Sequence, residues 1–377
     1  MHSEKSDVVI VGAGVIGCGI AYQLAREGAK VTVIERSAIG AESSGAAAGI
    51  LAPRLHATNP AILPLALWSE SRFPTLVDGL QEESGLRLEY ANCGALELAY
   101  DERSEERLRE KIAFMTAAGQ RADWLDAHET LHREPAVDPA LRGALHDPGA
   151  NQIHPLRFTQ ALAQAAARRG VHFQIGVEAR SIERNGDRAA AVQTDSGAIQ
   201  ADHVVIAAGA WAGHWSETLG LPIPVVPARG QILTLSSVPT PVRSIVYGKG
   251  VYLLPRTDGT VVLGATYERV GFDRSLTPEG LGWLLVTGTQ LCPALGQSRF
   301  EQAWTGLRPA SGDDLPIVGR VPTWENVIVA TGHYRDGIVL APATAMAVTD
   351  LILRGESDLP IAPLHPARFT GIEVPRA

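Results

Sequence analysis

Cysteine is scarce in this chain. The three residues, Cys18, Cys93 and Cys292, are odd in number, widely spaced and form no Cys-x-x-Cys pair. That argues against a disulfide framework or a thiolate metal site, and favours a reducing, cytoplasmic setting. An excess of positive charge is also missing, because 33 Lys and Arg stand against 41 Asp and Glu, for a formal net charge of −8. No basic stripe interleaved with aromatics is present, so nucleic acid is not an expected partner. No tandem repeat or low-complexity linker interrupts the chain. One uncharged run, Val8 to Ala25, has roughly the length of a signal-peptide core or a marginal membrane span. Gly12, Gly14, Gly17, Gly19 and Gln23 break it up, and Asp7 stands at its start. Neither export nor membrane insertion is therefore expected.

What is present is ordinary globular composition, 45% apolar and 20% charged, over 377 residues. That length exceeds what one hydrophobic core usually serves, so two domains are expected. Residues 7–12 are a short β-branched run ending at glycine, which reads as a buried parallel strand. Residues 15–28 carry Ile16, Ile20 and Leu24 at helical spacing and stop at Gly28. Lys30 to Glu35 is a second strand, and the three form a βαβ unit. Helices are predicted at 103–118, 156–169 and 338–354, and strands at 171–183, 189–206, 245–265 and Val327–Ala330. Nucleotide-type strands thus occur near the start, the middle and the end. The expected fold class is α/β: a Rossmann-like cofactor domain of segments 1–85, 150–225 and 300–377. The accompanying substrate domain is mixed α+β with an antiparallel sheet, built from 86–149 and 226–299.

Gly12-Ala13-Gly14-Val15-Ile16-Gly17 is G-x-G-x-x-G, set between a strand and a helix. Gly12 permits the tight turn, Gly14 a close backbone approach to a pyrophosphate, and Gly17 close helix–strand packing. The helix N-terminus offers N–H groups and its positive dipole end to phosphates. Glu35, at the end of the second strand, suits ribose hydroxyls and would repel a 2′-phosphate, which disfavours NADP. The motif alone leaves FAD and NAD both open. The later glycine-ended strands, Ala207-Ala208-Gly209 and Thr331-Gly332, favour FAD, which lies lengthwise across several strand ends.

Asp202 to Trp211 resembles a strand shared by the D-amino-acid-oxidase-like FAD-dependent oxidoreductases. Within that group, Gly306-Leu-Arg-Pro309, Leu315 to Gly319 and Gly332 to Thr344 resemble the glycine oxidase branch. The resemblance runs from about residue 7 to about 355. It implies FAD held without a covalent link, with Val15 and Ile16 at the pyrophosphate turn and Glu35 and Arg36 at the adenosine. It puts Ser43, Ser44, Ala47, Ala48, Gly49 and Ile50 along the flavin and Val177 at the adenine side. His333, Tyr334, Arg335, Asp336, Gly337, Ile338 and Val339 would wrap the pyrimidine end of the ring. Backbone N–H groups at 336–338 would stabilise the negative charge of reduced flavin.

The same resemblance makes Arg308 the carboxylate anchor of a small amino acid, Tyr252 a second donor to that carboxylate, and Arg335 a pocket-rim cation. Two positions depart from the branch pattern: Tyr267 stands where methionine is usual, and Ala52 where glycine is found. Tyr267 either narrows the pocket or adds a polar contact, which leaves the ranking of glycine, sarcosine and D-alanine open. The implied chemistry is hydride transfer from the substrate Cα to flavin N5, imine hydrolysis to a keto acid and ammonia, and reoxidation by O2 to hydrogen peroxide. Orientation against the flavin carries most of the catalysis, no general base is nominated, and His333 is expected to pack beside the ring. The resemblance also implies a role in thiamine biosynthesis and a homotetramer. The rival readings are an FAD-dependent dehydrogenase of D-amino or N-methyl amino acids, and a nucleotide-binding regulator without turnover. His128-Glu129-Thr-Leu-His132 spells H-E-x-x-H, but Pro135 cuts the helix short and no third ligand follows, so no metal is expected.

Overall fold

In the computed structural model, which describes residues 5–56, 59–237 and 239–371, the apolar run Ser6–Val11 is a strand with Val8, Val9 and Ile10 essentially inaccessible. Both its faces are covered, which explains the lack of polar alternation. It pairs in parallel with Val31–Glu35 on one side and with the second half of Gly197–Ile206 on the other. His172–Ile175 extends the sheet beyond Val31–Glu35, and Val327–Thr331 extends it beyond Gly197–Ile206, both in parallel. An antiparallel meander, Ala179–Asn185 and Arg188–Thr194, joins the first half of Gly197–Ile206. Helices Val15–Arg26, Pro155–Arg168 and Gly337–Leu353 pack together over one face of the parallel core.

The second large sheet is antiparallel except where Ile245–Gly248 runs parallel to Ala95–Ala99. Its order is Arg299–Ser311, Val225–Ser236, Thr260–Gly264, Val251–Pro255, Ile245–Gly248, Ala95–Ala99, Gly143–Asp147, Asp123–Asp126. The α/β class with a second, antiparallel sheet is therefore what the chain adopts. The expected break at residue 300 is corrected by this order. Arg299–Ser311 pairs along its whole length with Val225–Ser236, from Val225 opposite Ser311 to Ser236 opposite Arg299. It therefore belongs to the second sheet rather than the cofactor domain. The strand expected over 171–183 is likewise two strands, broken at Gly176, whose φ of +77° ends the extended backbone. Among the described residues, no helix is long and apolar enough to cross a membrane.

Candidate active site

Close approaches that only glycine permits shape the amino-terminal turn. Gly12 has φ +108°, and a Cβ there would lie 2.5 Å from the Ala207 carbonyl oxygen. A Cβ on Gly17 would lie 1.9 Å from the Gly12 carbonyl oxygen, so Gly17 serves the strand–helix contact and does not line the cleft. Gly14 caps helix Val15–Arg26, and the Val15 N–H donates to Ser44 Oγ at 3.0 Å. Glu35 accepts from the Ala13 N–H and the Ser37 N–H, each at 2.9 Å. It thus braces the glycine turn, and a carboxylate's further lone pairs remain for ribose hydroxyls. The Arg36 guanidinium sits 4.0 Å from the centroid of the Trp211 ring, which in turn stacks on Phe272.

The carboxy-terminal loop faces this turn. Thr331 donates to the Gly209 carbonyl at 2.9 Å, joining the two glycine-ended strands. Gly332 and Tyr334 both adopt positive φ, and the Tyr334 N–H donates to the Pro309 carbonyl at 3.1 Å. His333 is buried with Nε2 3.0 Å from Thr344 Oγ1, and burial pushes its pKa down to about 4. The final helix then opens at Gly337 with Asp336 at its N-cap position.

Two adjoining clefts result. The first brings together Gly12, Gly14, Val15, Ile16, Glu35, Arg36, Ser43, Ser44, Ala47 and Val177 with His333, Tyr334, Arg335, Gly337 and Ile338. The second adds Ala48, Gly49, Ile50, Tyr252 and Arg308. Ser43, Ala47, Tyr334, Arg335 and Ile338 line both. Val339 is corrected: it is 3% exposed and packs in the core behind the loop. Asp336 lines neither cleft. An extended dinucleotide fits this donor set. Helix N–H groups suit its phosphates, Glu35 its ribose, and the small residues 46–49 leave room for a flat ring.

Arg308 projects from Arg299–Ser311 onto the backbone of Gly230, where a Cβ would lie 2.4 Å from both Nη1 and Nη2. Nη1 donates to the Thr266 carbonyl at 3.1 Å. Among the described residues no carboxylate pairs with this guanidinium, and burial lowers its pKa. Tyr252 is seated the same way, because a Cβ on Gly264, its cross-strand partner, would lie 2.3 Å from the tyrosine hydroxyl. Burial raises the Tyr252 pKa to about 12. Arg335 is exposed, with its guanidinium 4.9 Å from the centroid of the Tyr334 ring.

Tyr267 and Ala52 lie elsewhere. Tyr267 lines neither cleft; it is 44% exposed, meets Tyr334 edge-on with centroids 6.2 Å apart, and accepts from Arg269 Nε at 3.2 Å. Ala52 is buried in an apolar cluster. Sequence reasoning missed Gly230 and Gly264, although an isolated glycine inside a strand is a recognised sign of close approach. It also missed Arg256, a largely buried guanidinium that donates to the carbonyls of Ala48 and Ile153 and so ties the loop of small residues at 46–49 to the second sheet.

In the H-E-x-x-H segment, Glu129 closes a capping box, accepting from the Asp126 N–H at 3.0 Å while Asp126 accepts from the Glu129 N–H at 2.8 Å. His128 and His132 are exposed on the seven-residue helix Ala127–Arg133. Among the described residues no cluster suited to a metal ion is found.

Residues 7–351 match the DAO family, FAD dependent oxidoreductase. The chain is 33% identical over 372 residues to a glycine oxidase of Geobacillus kaustophilus, covering 98% of each. The crystal structure of glycine oxidase from that species superposes with a TM-score of 0.95 over 98% of this chain and 100% of that one, at 33% identity. A glycine oxidase of Pseudomonas aeruginosa is 35% identical over 364 residues, covering 96% of this chain and 98% of that protein. The bifunctional protein ThiO/ThiG of Trichormus variabilis is 36% identical over 369 residues, and the match spans 96% of this chain but 55% of that longer protein.

Proposed function

The chain belongs to the FAD dependent oxidoreductase family, and from that premise we propose that it oxidises glycine to glyoxylate and ammonia, with hydrogen peroxide as co-product. FAD, when bound, supplies the hydride acceptor and passes the electrons to O2. The chain's own residues bind and orient. Arg308 grips the substrate carboxylate as a bidentate fork. Tyr252, whose pKa of about 12 keeps its proton in place at neutral pH, donates a second hydrogen bond to that group. Arg335 adds positive potential at the junction of the clefts. Ala47, Ala48, Ile50 and Ile338 make an apolar wall that limits water near the reacting carbon. His333 serves as packing: a ring with a pKa near 4 that bonds Thr344 is a poor base for an ammonium group.

The observation that carries this reading is Arg308, a largely buried guanidinium that lines the second cleft and, among the described residues, has no carboxylate partner. Buried charges are normally paired, so this one is built for an anion that arrives from outside. By the same reading the product imine feeds thiazole formation in thiamine synthesis. A cytoplasmic homo-oligomer is the setting we favour, in keeping with three free cysteines. The test is a peroxide assay on FAD-loaded protein with glycine, sarcosine and D-alanine side by side. Peroxide from glycine is expected. Anaerobic bleaching without peroxide in air would give the reaction to a dehydrogenase instead. Arg308→Ala should weaken glycine binding by roughly 1.5–3 kcal/mol, the worth of a hydrogen bond to a charged group. An unchanged apparent affinity would remove Arg308 from the role.

A further inference from the structure

The frame that seats Arg308 is assembled around one carboxylate. Residues 229–231 and 266–268 run side by side as a short antiparallel pair. The Arg229 N–H donates to the Glu268 carbonyl at 2.9 Å, and the Glu268 N–H returns the bond at 3.0 Å. Gly230, the seat of the guanidinium, lies in the middle of the first segment. Arg308 Nη1 donates to the carbonyls of Thr266, at 3.1 Å, and of Arg229, at the long distance of 3.5 Å. The side chains of both those residues reach the Glu268 carboxylate: Thr266 Oγ1 donates to Oε1 at 2.6 Å, and Arg229 Nη2 pairs with Oε2. Gln231 Nε2 donates to Oε1 at 2.9 Å. Arg229, Gln231 and Thr266 are buried while the Glu268 side chain keeps 25% of its surface exposed, so these bonds are shielded from bulk water on the protein side only.

We propose that Glu268 is the positioning residue for the substrate-carboxylate anchor, acting through the two carbonyls that orient Arg308; this rests on the role given to Arg308 above. Glu268 gathers Arg229, Gln231 and Thr266 and thereby aims two carbonyl oxygens at one guanidinium nitrogen, Nη1. The opposite edge of Arg308 is left to meet a carboxylate. Glu268 directs its bonds to Arg229, Gln231 and Thr266 and, among the described residues, makes no ion pair with Arg308, whose charge is thus left for substrate. Asp273 supplies a second acid to Arg229 at 2.6 Å and steadies the following loop. The same carboxylate thus sets the aim of the anchor without touching the substrate.

The experiment is steady-state glycine kinetics on the FAD-loaded enzyme, with titration of acetate as a bare carboxylate probe read by the flavin absorption spectrum. Glu268→Gln, which keeps the size but weakens acceptance, should raise the glycine KM and the acetate Kd roughly 3- to 10-fold, the span of one net hydrogen bond. The kcat should stay within about twofold, since uniform binding alone is affected. Placed on Arg308→Ala, Glu268→Gln should add nothing further to either value, because its effect runs through the guanidinium. Thr266→Val, which removes one donor to Glu268 and the acceptor of the Gln231 N–H, should give the same split, and serves if Glu268→Gln does not accumulate. Unchanged KM and Kd in Glu268→Gln and Thr266→Val, with Arg308→Ala still impaired, would overturn the proposal and leave the role of Arg308 standing. Equal losses on the wild-type and Arg308→Ala backgrounds would also overturn it. Normal acetate binding by Arg308→Ala would overturn both.

Discussion

The cofactor cleft and the substrate cleft share a wall but are built on different principles. The first is a backbone construction. Its turn, its helix N-terminus and its glycine-ended strands present N–H groups whose positions follow from a contiguous stretch of chain and from parallel pairing. The second is a side-chain construction on an antiparallel sheet. There, long polar residues lie flat over glycines in neighbouring strands, Arg308 over Gly230 and Tyr252 against Gly264. The first kind of site tolerates many side chains and no misplaced Cβ on its turn. The second depends on pairs of positions far apart in the chain. A dinucleotide, bulky and common to many enzymes, suits the former; a small zwitterion, recognised by a few directed bonds, needs the latter.

The largest effect should come from breaking the backbone site. Gly17→Val places carbon where the Gly12 carbonyl oxygen already sits, 1.9 Å from an ideal Cβ. Helix and strand must then separate, at more than about 3 kcal/mol. The expected outcome is protein purified without yellow colour, its FAD affinity down at least roughly 100-fold by fluorescence quenching, which corresponds to that energy. Normal flavin content would show that the turn yields more easily than its contacts imply.

Next in size is a pH effect in the carboxy-terminal loop that lines the first cleft. The folded-state pKa of His333, about 4, lies below its ordinary value of 6.5 because burial disfavours the charged ring. Above pH 6.5 the ring is neutral in both folded and unfolded chains and its contribution is complete. As pH falls from 6.5 towards 4, the unfolded chain takes up a proton that the folded one refuses, and stability is lost. At pH 5 the loss is roughly 2 kcal/mol, from 1.36 kcal/mol per pH unit. Thermal unfolding of His333→Asn across this range should show a flatter slope than wild type, and parallel slopes would contradict the assignment. Smaller again is Gly230→Ala, whose methyl group meets the Arg308 guanidinium at 2.4 Å. The flexible side chain moves rather than the strand. FAD should therefore be retained while the glycine KM rises about tenfold, equivalent to 1.4 kcal/mol. Loss of FAD as well would show that the two clefts are less separable than drawn.

The same contrast explains what could be read before the structure. Gly12 to Gly17 and Glu35 were legible because their roles follow from spacing within one βαβ unit. The carboxy-terminal loop was legible through a resemblance, and its placement against the amino-terminal turn is what the clefts display. Gly230, Gly264 and Glu268 were not legible, since what each of them does is defined by a side chain or carbonyl from another strand, and no local pattern announces that partner. The break at residue 300 failed for a related reason. Nothing within Arg299–Ser311 reveals that its pairing partner is Val225–Ser236, because antiparallel register is a property of two segments together.

Tyr267 offers the smallest effect and the sharpest boundary for the substrate cleft. Its place in the sequence, two residues after Ala265 on the cleft wall, invites a direct role in choosing among glycine, sarcosine and D-alanine. Its geometry argues otherwise, because the hydroxyl bonds Arg269 at the surface and the ring meets Tyr334 edge-on. Removing only the hydroxyl should cost little, since exposed polar contacts of this kind are worth at most about 0.5 kcal/mol. Tyr267→Phe should therefore keep the glycine KM, and the ratio of kcat/KM for glycine to that for sarcosine, within about twofold of wild type. Tyr267→Ala removes the edge-on ring pair as well, worth roughly 0.5–1.5 kcal/mol. It should act through Tyr334, which lines both clefts, and disturb flavin and substrate together rather than substrate choice alone. A clear change of substrate ratio in Tyr267→Phe would move the boundary outward and make this residue part of the recognition surface.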